Sequence, residues 1–229
     1  MVNKNRLPKF PDDYLKEKAD DYENSKWMGR NQKRSTLLCI KYLFDENLRD
    51  LKQKNISMED SPLVLDLGCG TGFSSEILID HGFKVVGIDI LPDMLMKAQE
   101  KKQKLNHLRK LELILADINN LPIKPKKVNH IISISSYNFI IYGLENKGEQ
   151  VKLLNDTAKF LNKILKNKGR IIIEFYPKND KELKMFGKSF INNGFEGYSI
   201  KNNPNQKSGQ TFLLLKKNMK GSISESEKI

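Results

Sequence analysis

The feature that most constrains the fold of this chain is an alternation of short apolar runs with helical stretches, which begins after residue 61. Runs rich in Val, Ile and Leu predict five strands, at 63–67, 84–90, 111–118, 128–135 and 170–176. Helical patterns lie between them at 71–81, 92–105 and 148–166, and Gly169 is expected to end the last helix. Continuous apolar strands that alternate with helices are typical of a parallel sheet covered on both faces.

The last part of this pattern predicts a change of strand direction. After a predicted helix at 180–192 come two further apolar runs, at 195–200 and 210–215. The connection at 201–209 is too short for a crossover helix, so these two strands should be antiparallel. We therefore predict an α/β fold with a seven-stranded, mostly parallel sheet, helices on both faces and an antiparallel C-terminal hairpin.

The residues before the sheet form a segment of their own. Apolar residues at 37, 40, 44, 48 and 51 recur at three- and four-residue steps, which predicts one amphipathic helix at 35–54. We divide the chain into an N-terminal helical extension (1–60), a main domain (61–216) and a flexible tail (217–229). No apolar run reaches the length of a membrane span and no secretory signal is present, so a cytoplasmic protein is expected. Two cysteines in dissimilar contexts predict neither a disulfide framework nor a metal site.

The positive charge is concentrated in the second half of the chain. The formal net charge is +12, from 40 Lys and Arg against 28 Asp and Glu. Residues 121–229 hold 20 of these basic residues and only 9 of the acidic ones. A basic surface attracts polyanions such as nucleic acid, although a lysine-rich composition can also serve solubility alone. The run Lys163, Lys166, Lys168 and Arg170 either faces such a substrate or is a solvated helix end.

The strongest local motif is a glycine loop that follows the first predicted strand and opens a helix. The acidic residue Asp66 stands two positions before three alternating glycines, Gly68, Gly70 and Gly72, and Cys69 lies between the first two of them. The third glycine of a nicotinamide-dinucleotide fingerprint would fall on Phe73, and a Walker phosphate loop is absent. The motif instead resembles the first motif of the class I S-adenosylmethionine-dependent methyltransferases, which implies their Rossmann-like fold.

The same resemblance implies that S-adenosylmethionine is the cofactor. Asp66 would accept, through water, from the ammonium group of the cofactor. Asp89, at the end of the second strand, would bind the ribose hydroxyls, and Asp117, at the end of the third, the adenine amino group. All three acids end strands at the binding edge of an open sheet, although each alone could simply cap the next helix. The other predicted cofactor contacts are Gly68, Cys69, Gly70, Ile90, Ile118 and Ser135.

A second resemblance concerns the methyl acceptor. Segments at 22–32, 131–139 and 173–180, Gly-Phe-Glu-Gly at 194–197 and the closing apolar run at 212–215 are similar to the small-subunit ribosomal RNA guanine-N7 methyltransferase family. This resemblance implies methylation of a guanosine N7 in small-subunit ribosomal RNA during ribosome biogenesis. Asn138-Phe139 replaces the Gln-Trp that is usual in that family, and the short tail indicates an archaeal member.

The acceptor side is expected beyond the fourth and fifth strands. Tyr137, Asn138 and Tyr176 are the candidate catalytic residues there, flanked by Phe139 and Pro177. Aromatic rings stack extruded purines, and Asn138 would contact the edge of the base. Guanine N7 already carries a lone pair, so no general base is needed to create the nucleophile. Catalysis would come from holding N7 in line with the methyl group. Phe139 and Tyr176 could alternatively be ordinary core residues.

The third predicted strand suggests a partner. Residues 111–116 include no Lys or Pro to protect a sheet edge. The family that the chain resembles pairs this edge with a small zinc-binding activator protein, so ribosomal RNA and such an activator are the predicted partners. A helix that covers the edge is the alternative. The N-terminal segment with Tyr22, Trp27 and Met28 is expected to be either a lid or an apolar clamp.

Three other functions stay open on the sequence. The first is a transfer RNA methyltransferase that shares the activator. The second is a small-molecule methyltransferase with an enclosed apolar acceptor pocket. The third is a ribosome-assembly factor for which methyl transfer is dispensable.

Overall fold

The computed structural model describes residues 9–48, 61–104, 110–202 and 210–219, and a seven-stranded sheet forms its centre. The strands are β1 (Leu63–Leu67), β2 (Lys84–Asp89), β3 (Leu111–Leu115), β4 (Val128–Ile134), β5 (Leu165–Phe175), β6 (Phe195–Lys201) and β7 (Thr211–Lys217). The α-helices are α1 (Glu17–Asn24), α2 (Lys26–Leu43), α3 (Phe73–Asp80), α4 (Pro92–Lys104), α5 (Lys147–Ile164) and α6 (Asp180–Asn192). None of the described helices is long and apolar enough to cross a bilayer.

The order of the strands confirms the predicted sheet. It runs β3-β2-β1-β4-β5-β7-β6, with parallel pairing from β3 through to β5. Strand β7 is antiparallel to both β5 and β6, so it alone runs against the other six. The order reverses between β1 and β4, and in open α/β sheets ligands bind outside the carboxyl ends of the strands at this point.

Helices pack on both faces of the sheet, as predicted. On one face α2 and α3 contribute buried apolar side chains that pack on the strands, namely Cys39, Leu43, Leu78 and Ile79 against Val64, Ile132 and Phe212. On the other face α5 and α6 do the same, with Leu154, Leu161, Phe186 and Phe190 against Ile131 and Ile171. Burial of continuous apolar strands between two helical layers explains why the sequence shows no alternation of polar and apolar residues there.

The predicted helix at 35–54 is wrong in its bounds. Helix α2 begins at Lys26, where the Ser25 hydroxyl accepts from the Met28 N–H at 3.3 Å, and it ends at Leu43. Arg170 is buried, and its guanidinium donates to the carbonyls of Leu43 and, at 3.2 Å, Asp45. This tertiary contact satisfies carbonyls at the end of the helix, which local periodicity cannot reveal. The rest of the predicted helix, from residue 49, lies outside the described residues, as does the tail from 220.

Gly169 does not end a helix, contrary to the prediction. Helix α5 ends at Ile164, and β5 starts directly at Leu165. A Cβ on Gly169 would lie 2.5 Å from Leu165 Cγ and 2.7 Å from the carbonyl oxygen of Asn129. Glycine is therefore required by the close approach of β5 to β4, where the pairing register of the two strands shifts.

Candidate functional site

The glycine loop connects β1 to α3 at the carboxyl edge of the sheet. Gly68, Gly70 and Gly72 all have positive φ angles, of 70°, 55° and 83°. The amides of Gly68 and Cys69 donate to the carbonyl of Ile88 in β2, at 2.8 and 2.9 Å. The loop is thus held against β2 in a backbone conformation that favours glycine.

Asp66 lies beneath this loop at the end of β1 and is completely buried. Its Oδ2 accepts hydrogen bonds from the hydroxyls of Ser74 and Ser75, both at 2.6 Å, in the first turn of α3. Its Oδ1 has no hydrogen-bond partner among the described residues. Burial raises the pKa of Asp66 to about 6; the two serine hydroxyls oppose this rise, and the charge of Asp89 adds to it.

A second polar atom without a partner belongs to the loop itself. The Thr71 hydroxyl is buried and makes no hydrogen bond within the described part of the chain. Leaving a buried polar group unpaired costs about 1–3 kcal/mol, so such groups call for an explanation. Together with Oδ1 of Asp66, it offers polar atoms to a ligand that reaches into the loop.

Asp89 ends β2 and fixes the loop from the other side. Its Oδ2 accepts from the Gly70 N–H at 2.8 Å, and its Oδ1 from the Leu91 N–H at 2.9 Å. Burial raises the pKa of this carboxyl group above its ordinary value. Each carboxylate oxygen keeps a second lone pair, so Asp89 supports the loop and can still accept from a ligand. The next residue, Ile90, is half exposed.

Asp117 and Ile118 follow β3 at the same edge. The carboxylate of Asp117 is exposed, and its Oδ1 accepts from both the backbone and the side-chain nitrogen of Asn119, at 2.9 and 2.8 Å. The Ala116 N–H donates to the Asp89 carbonyl at 3.0 Å, which ties the ends of β2 and β3 together. Ile118 is half-buried against the core. The fold therefore brings all three predicted acids to one edge of the sheet.

The loop after β4 is bound to the end of β5 through Ser135. Ser135 has a φ of 56°, and its N–H and hydroxyl donate to Glu174, at 2.9 Å to the carbonyl and 2.7 Å to Oε2. Glu174 is completely buried, and it also accepts from Gln210 at 3.1 Å and from the hydroxyl of Tyr176. Burial raises the pKa of Glu174. The hydroxyl of Ser135 is thus used within the protein, a role that the sequence did not indicate.

Tyr137 was predicted to be a catalytic residue, and its position in the structure contradicts this. Its side chain is completely buried, and its ring packs on Phe186 and Phe190 with centroids 5.8 and 5.6 Å apart. The apolar face of α6 holds the ring in the core, so it cannot touch an acceptor in this arrangement. Burial raises the pKa of its hydroxyl, which has no hydrogen-bond partner among the described residues.

Tyr176, the second catalytic candidate, lies at the surface. Tyr176 is 49% exposed, and its hydroxyl is hydrogen-bonded to Glu174. Its ring therefore faces solvent at the end of β5, which removes the alternative that it is an ordinary core residue. The side chain of Asn138 lies outside the described residues. Its neighbour Phe139 is half-buried.

Three aromatic residues of the N-terminal segment, Phe10, Tyr14 and Tyr22, form an aromatic cover over this edge. Phe10 stacks on Phe139 with centroids 4.8 Å apart and an interplanar angle of 15°. Tyr14 packs on Tyr22 at 5.8 Å, and Tyr22 packs on Phe73 at 6.3 Å. The cover thus reaches from the loop after β4 to the start of α3.

Ion pairs hold α1 in place beside the cover. Lys97 and Lys101 of α4 pair with Asp20 and Glu23 of α1, at 2.6 and 3.1 Å. Trp27, which was expected in the lid or clamp, is instead 62% exposed and takes no part in the stacked contacts. The N-terminal segment is therefore attached to α4 on one side and to the loop after β4 on the other.

Comparison with known proteins agrees with this architecture. The profile of the methyltransferase domain family matches residues 59–220. A cattle 18S rRNA (guanine-N(7))-methyltransferase is 32% identical over 158 residues, which are 68% of this chain and 54% of that protein. The yeast 18S rRNA (guanine(1575)-N(7))-methyltransferase is 29% identical over 66% of this chain and 54% of its own length. The chain thus spans about half the length of these curated relatives.

Solved structures show the same fold. A protein from Pyrococcus horikoshii OT3 superposes with a TM-score of 0.60 and 20% identity, covering 86% of this chain and 98% of its own. The geranyl diphosphate C-methyltransferase of Streptomyces coelicolor A3(2) gives a TM-score of 0.64 at 10% identity, over 89% and 88% of the two chains. The strand order, the glycine loop and the profile match lead to one conclusion: the chain belongs to the methyltransferase domain family and has its Rossmann-like, class I fold.

Proposed function

We propose that the protein is an S-adenosylmethionine-dependent methyltransferase. The observation that carries this proposal is the unpaired Oδ1 of Asp66, buried under a glycine loop at the switch point of the sheet. A buried carboxylate would repel a diphosphate, whereas it favours the ammonium group of a cofactor that has no phosphate. The cofactor fits these residues, because the Thr71 hydroxyl offers a further unused polar atom and Asp89 retains free lone pairs.

Different residues of the site would bind different parts of the cofactor. The loop from Gly68 to Gly70, with Asp66 and Thr71, would hold the methionine part. Asp89 would accept from the ribose hydroxyls, while Ile90, Ile118 and Asp117 would contact the adenine. The bound cofactor supplies an electrophilic methyl group on a sulfonium. Of the N-terminal extension, the part from Phe10 to Tyr22 would act as a lid, because the aromatic cover lies across the same edge.

We propose further that the acceptor is N7 of a guanosine in small-subunit ribosomal RNA. The similarity to relatives named as 18S rRNA guanine-N7 methyltransferases supports this choice over a transfer RNA or a small molecule. The exposed ring of Tyr176 is suited to stacking on the base, a contact worth roughly 1–3 kcal/mol. Its hydroxyl bond to Glu174 restricts the orientation of that ring. Catalysis then depends on how the guanine is positioned and not on proton transfer, since N7 needs no general base.

Mapping of methylated guanosines by mass spectrometry tests this proposal. Ribosomal RNA from cells with and without the gene would be compared, together with cells that carry only Asp89→Ala. The proposal predicts that one N7-methylguanosine disappears from the small-subunit RNA in both altered strains. An unchanged ribosomal RNA, with methylation lost from transfer RNA or a metabolite instead, would refute the acceptor but not the methyltransferase. Normal ribosome maturation in the Asp89→Ala strain would indicate that methyl transfer is dispensable for assembly.

The zinc-binding activator remains part of the proposal. Strand β3 lies at the edge of the sheet as predicted, no other described strand pairs with its outer side, and Leu115 is 59% exposed at its end. An exposed apolar edge favours pairing with a strand of another chain. Co-expression with the activator is expected to raise the soluble, monodisperse yield, and equal yields without it would count against the partner. The cytoplasmic location and the archaeal affinity stay predictions from the sequence.

A further inference from the structure

Five lysines lie at the amino edge of the sheet, opposite the glycine loop. We call Lys126, Lys127, Lys163, Lys168 and Lys217 the amino-edge lysines. Two of them directly precede β4, one lies in the last turn of α5, and one lies near the start of β5. Lys217 ends β7, which reaches the same edge because it runs antiparallel. The Lys126 N–H donates to the carbonyl of Lys163 at 3.1 Å, so these segments are in direct contact.

No acidic side chain neutralises this group within the described residues. Several lysines elsewhere do form ion pairs: Lys97 with Asp20, Lys102 with Glu112 and Lys216 with Glu196, at 2.6, 3.5 and 3.3 Å. No amino-edge lysine forms such a pair in the parts of the chain that the structure describes.

Lys217 shows that the amino-edge lysines lie close enough to one another to interact electrostatically. It is only 8% exposed, and its pKa is lowered by burial and, to a lesser degree, by the charge of Lys126. Like charges that are held close together repel each other, and a bound anion relieves that repulsion. Two neighbouring lysines with no acid paired to either of them, within the described residues, therefore favour an anion from outside the chain.

Arg170, the last residue of the basic run at 163–170, is not available to a ligand. It is 6% exposed, and its guanidinium is occupied by the carbonyls of Leu43 and Asp45. Its function is to hold the end of α2 on the sheet. Lys163 and Lys168 are thus the residues that the run shares with the amino-edge lysines.

We propose that the amino-edge lysines bind phosphates of the RNA backbone and form a second contact surface for the substrate. This inference rests on the proposed function, and it says how a long RNA is held while one guanosine occupies the acceptor side. At roughly 3.3 Å per residue, the strand from Lys168 to Tyr176 separates the two surfaces by about 26 Å. A polymer can bridge that distance, whereas a nucleotide or a small metabolite cannot. Phosphate contacts of this kind position an RNA without reading its sequence.

The test compares two quadruple variants with the same loss of charge. The first carries Lys126→Gln, Lys127→Gln, Lys163→Gln and Lys168→Gln, and the control carries Gln at four exposed lysines of α5 and α6, Lys152, Lys159, Lys184 and Lys188. Binding to an in vitro transcript of small-subunit ribosomal RNA is measured from 50 to 200 mM salt. Each lost phosphate contact reduces the slope of log K against log salt by about 0.7–0.9, so the first variant should lose about 3. The control should lose less than about 1.

The outcomes separate this inference from the proposed function. Equal slopes in the two variants would overturn the phosphate surface, whatever the enzyme methylates. Binding of S-adenosylmethionine should be the same in both variants, because the cofactor site lies at the opposite edge. A methylation map without any change in ribosomal RNA would refute the acceptor, yet it would leave a difference in slope intact. The inference would also be contradicted if the first variant kept the wild-type salt dependence of RNA binding but no longer bound an acidic protein.

A single substitution gives an independent readout. Lys126→Glu places a carboxylate near Lys217 and so gives it the acidic neighbour that it does not have among the described residues. The expected result is a higher melting temperature together with weaker RNA binding. A lower melting temperature in a variant that still folds, or unchanged RNA affinity, would contradict the role of this cluster.

Discussion

Replacing Asp66 by Asn should weaken cofactor binding while relieving a cost to stability. The pKa of Asp66 is raised from 3.8 to about 6, chiefly because the carboxyl group is buried. Since the folded state holds the proton more tightly than the unfolded state, stability from this group is present below about pH 4 and is lost as the pH rises through 6. At 1.36 kcal/mol per pH unit, the ionised carboxylate costs about 3 kcal/mol at pH 7.

The Asp66→Asn variant removes this dependence on pH. The new side-chain amide keeps an oxygen for the Ser74 and Ser75 hydroxyls, and its nitrogen replaces Oδ1, which has no partner among the described residues. That unsatisfied donor costs about 1–3 kcal/mol at every pH. From pH 4 to pH 7, the unfolding free energy of the variant should therefore rise by about 3 kcal/mol relative to the wild type. Urea unfolding at a series of pH values measures this difference without ligand.

Calorimetry then tests the functional half of this prediction. Loss of a charge-assisted contact of about 1.5–3 kcal/mol should weaken S-adenosylmethionine binding roughly 10- to 150-fold. Asp117→Asn removes one charge from the same edge at an exposed site and is the matched control for stability. Parallel stability curves for wild type and Asp66→Asn, or equal affinities for the cofactor, would refute the reasoning about the buried carboxylate.

Two further predictions concern the loop and the acceptor side. Gly68→Ala puts a Cβ 2.3 Å from Ser136 Oγ at a φ of 70°, whereas Gly82→Ala has a φ of 90° and nothing within 4 Å. Strain alone costs about 1–2 kcal/mol, so thermal unfolding should show a larger loss for Gly68→Ala, and equal losses would contradict the close contact. Tyr176→Ala should weaken acceptor binding by roughly 1–3 kcal/mol, while Tyr176→Phe keeps the ring and should retain most of it. Michaelis constants for the RNA measure this, and equal effects would exclude stacking.

Much of the fold could be predicted because local pattern and global topology agree in this chain. Continuous apolar runs specify a parallel sheet, and the short connection before β7 specifies its direction. Long-range contacts account for the errors. The end of α2 is held by Arg170, which is 127 residues away from Leu43, whereas its start depends on the local cap of Ser25, which the periodicity of apolar residues does not detect. Gly169 has the composition of a helix stop but is needed for a close strand contact.

In the candidate site too, locally determined features could be predicted, and features that depend on long-range contacts could not. Asp66, Asp89 and Asp117 could be found because each lies at or just beyond the carboxyl end of a strand, and position along a strand is a local property. Tyr137 was misplaced because the direction of a ring after a strand depends on α6, which packs on it. Glu174 was missed as a partner of Ser135, since 39 residues separate them in sequence. Only the pairing of β4 with β5 brings their ends together.

A crystal structure with bound S-adenosylhomocysteine would show whether the glycine loop and its three acids hold the cofactor. We predict that its amino group approaches Asp66 directly or through one water, that its ribose lies on Asp89, and that its adenine lies between Ile90 and Ile118. Density for the nucleoside at another edge of the sheet, or a ribose that makes no contact with Asp89, would contradict the assignment of this loop as the cofactor site.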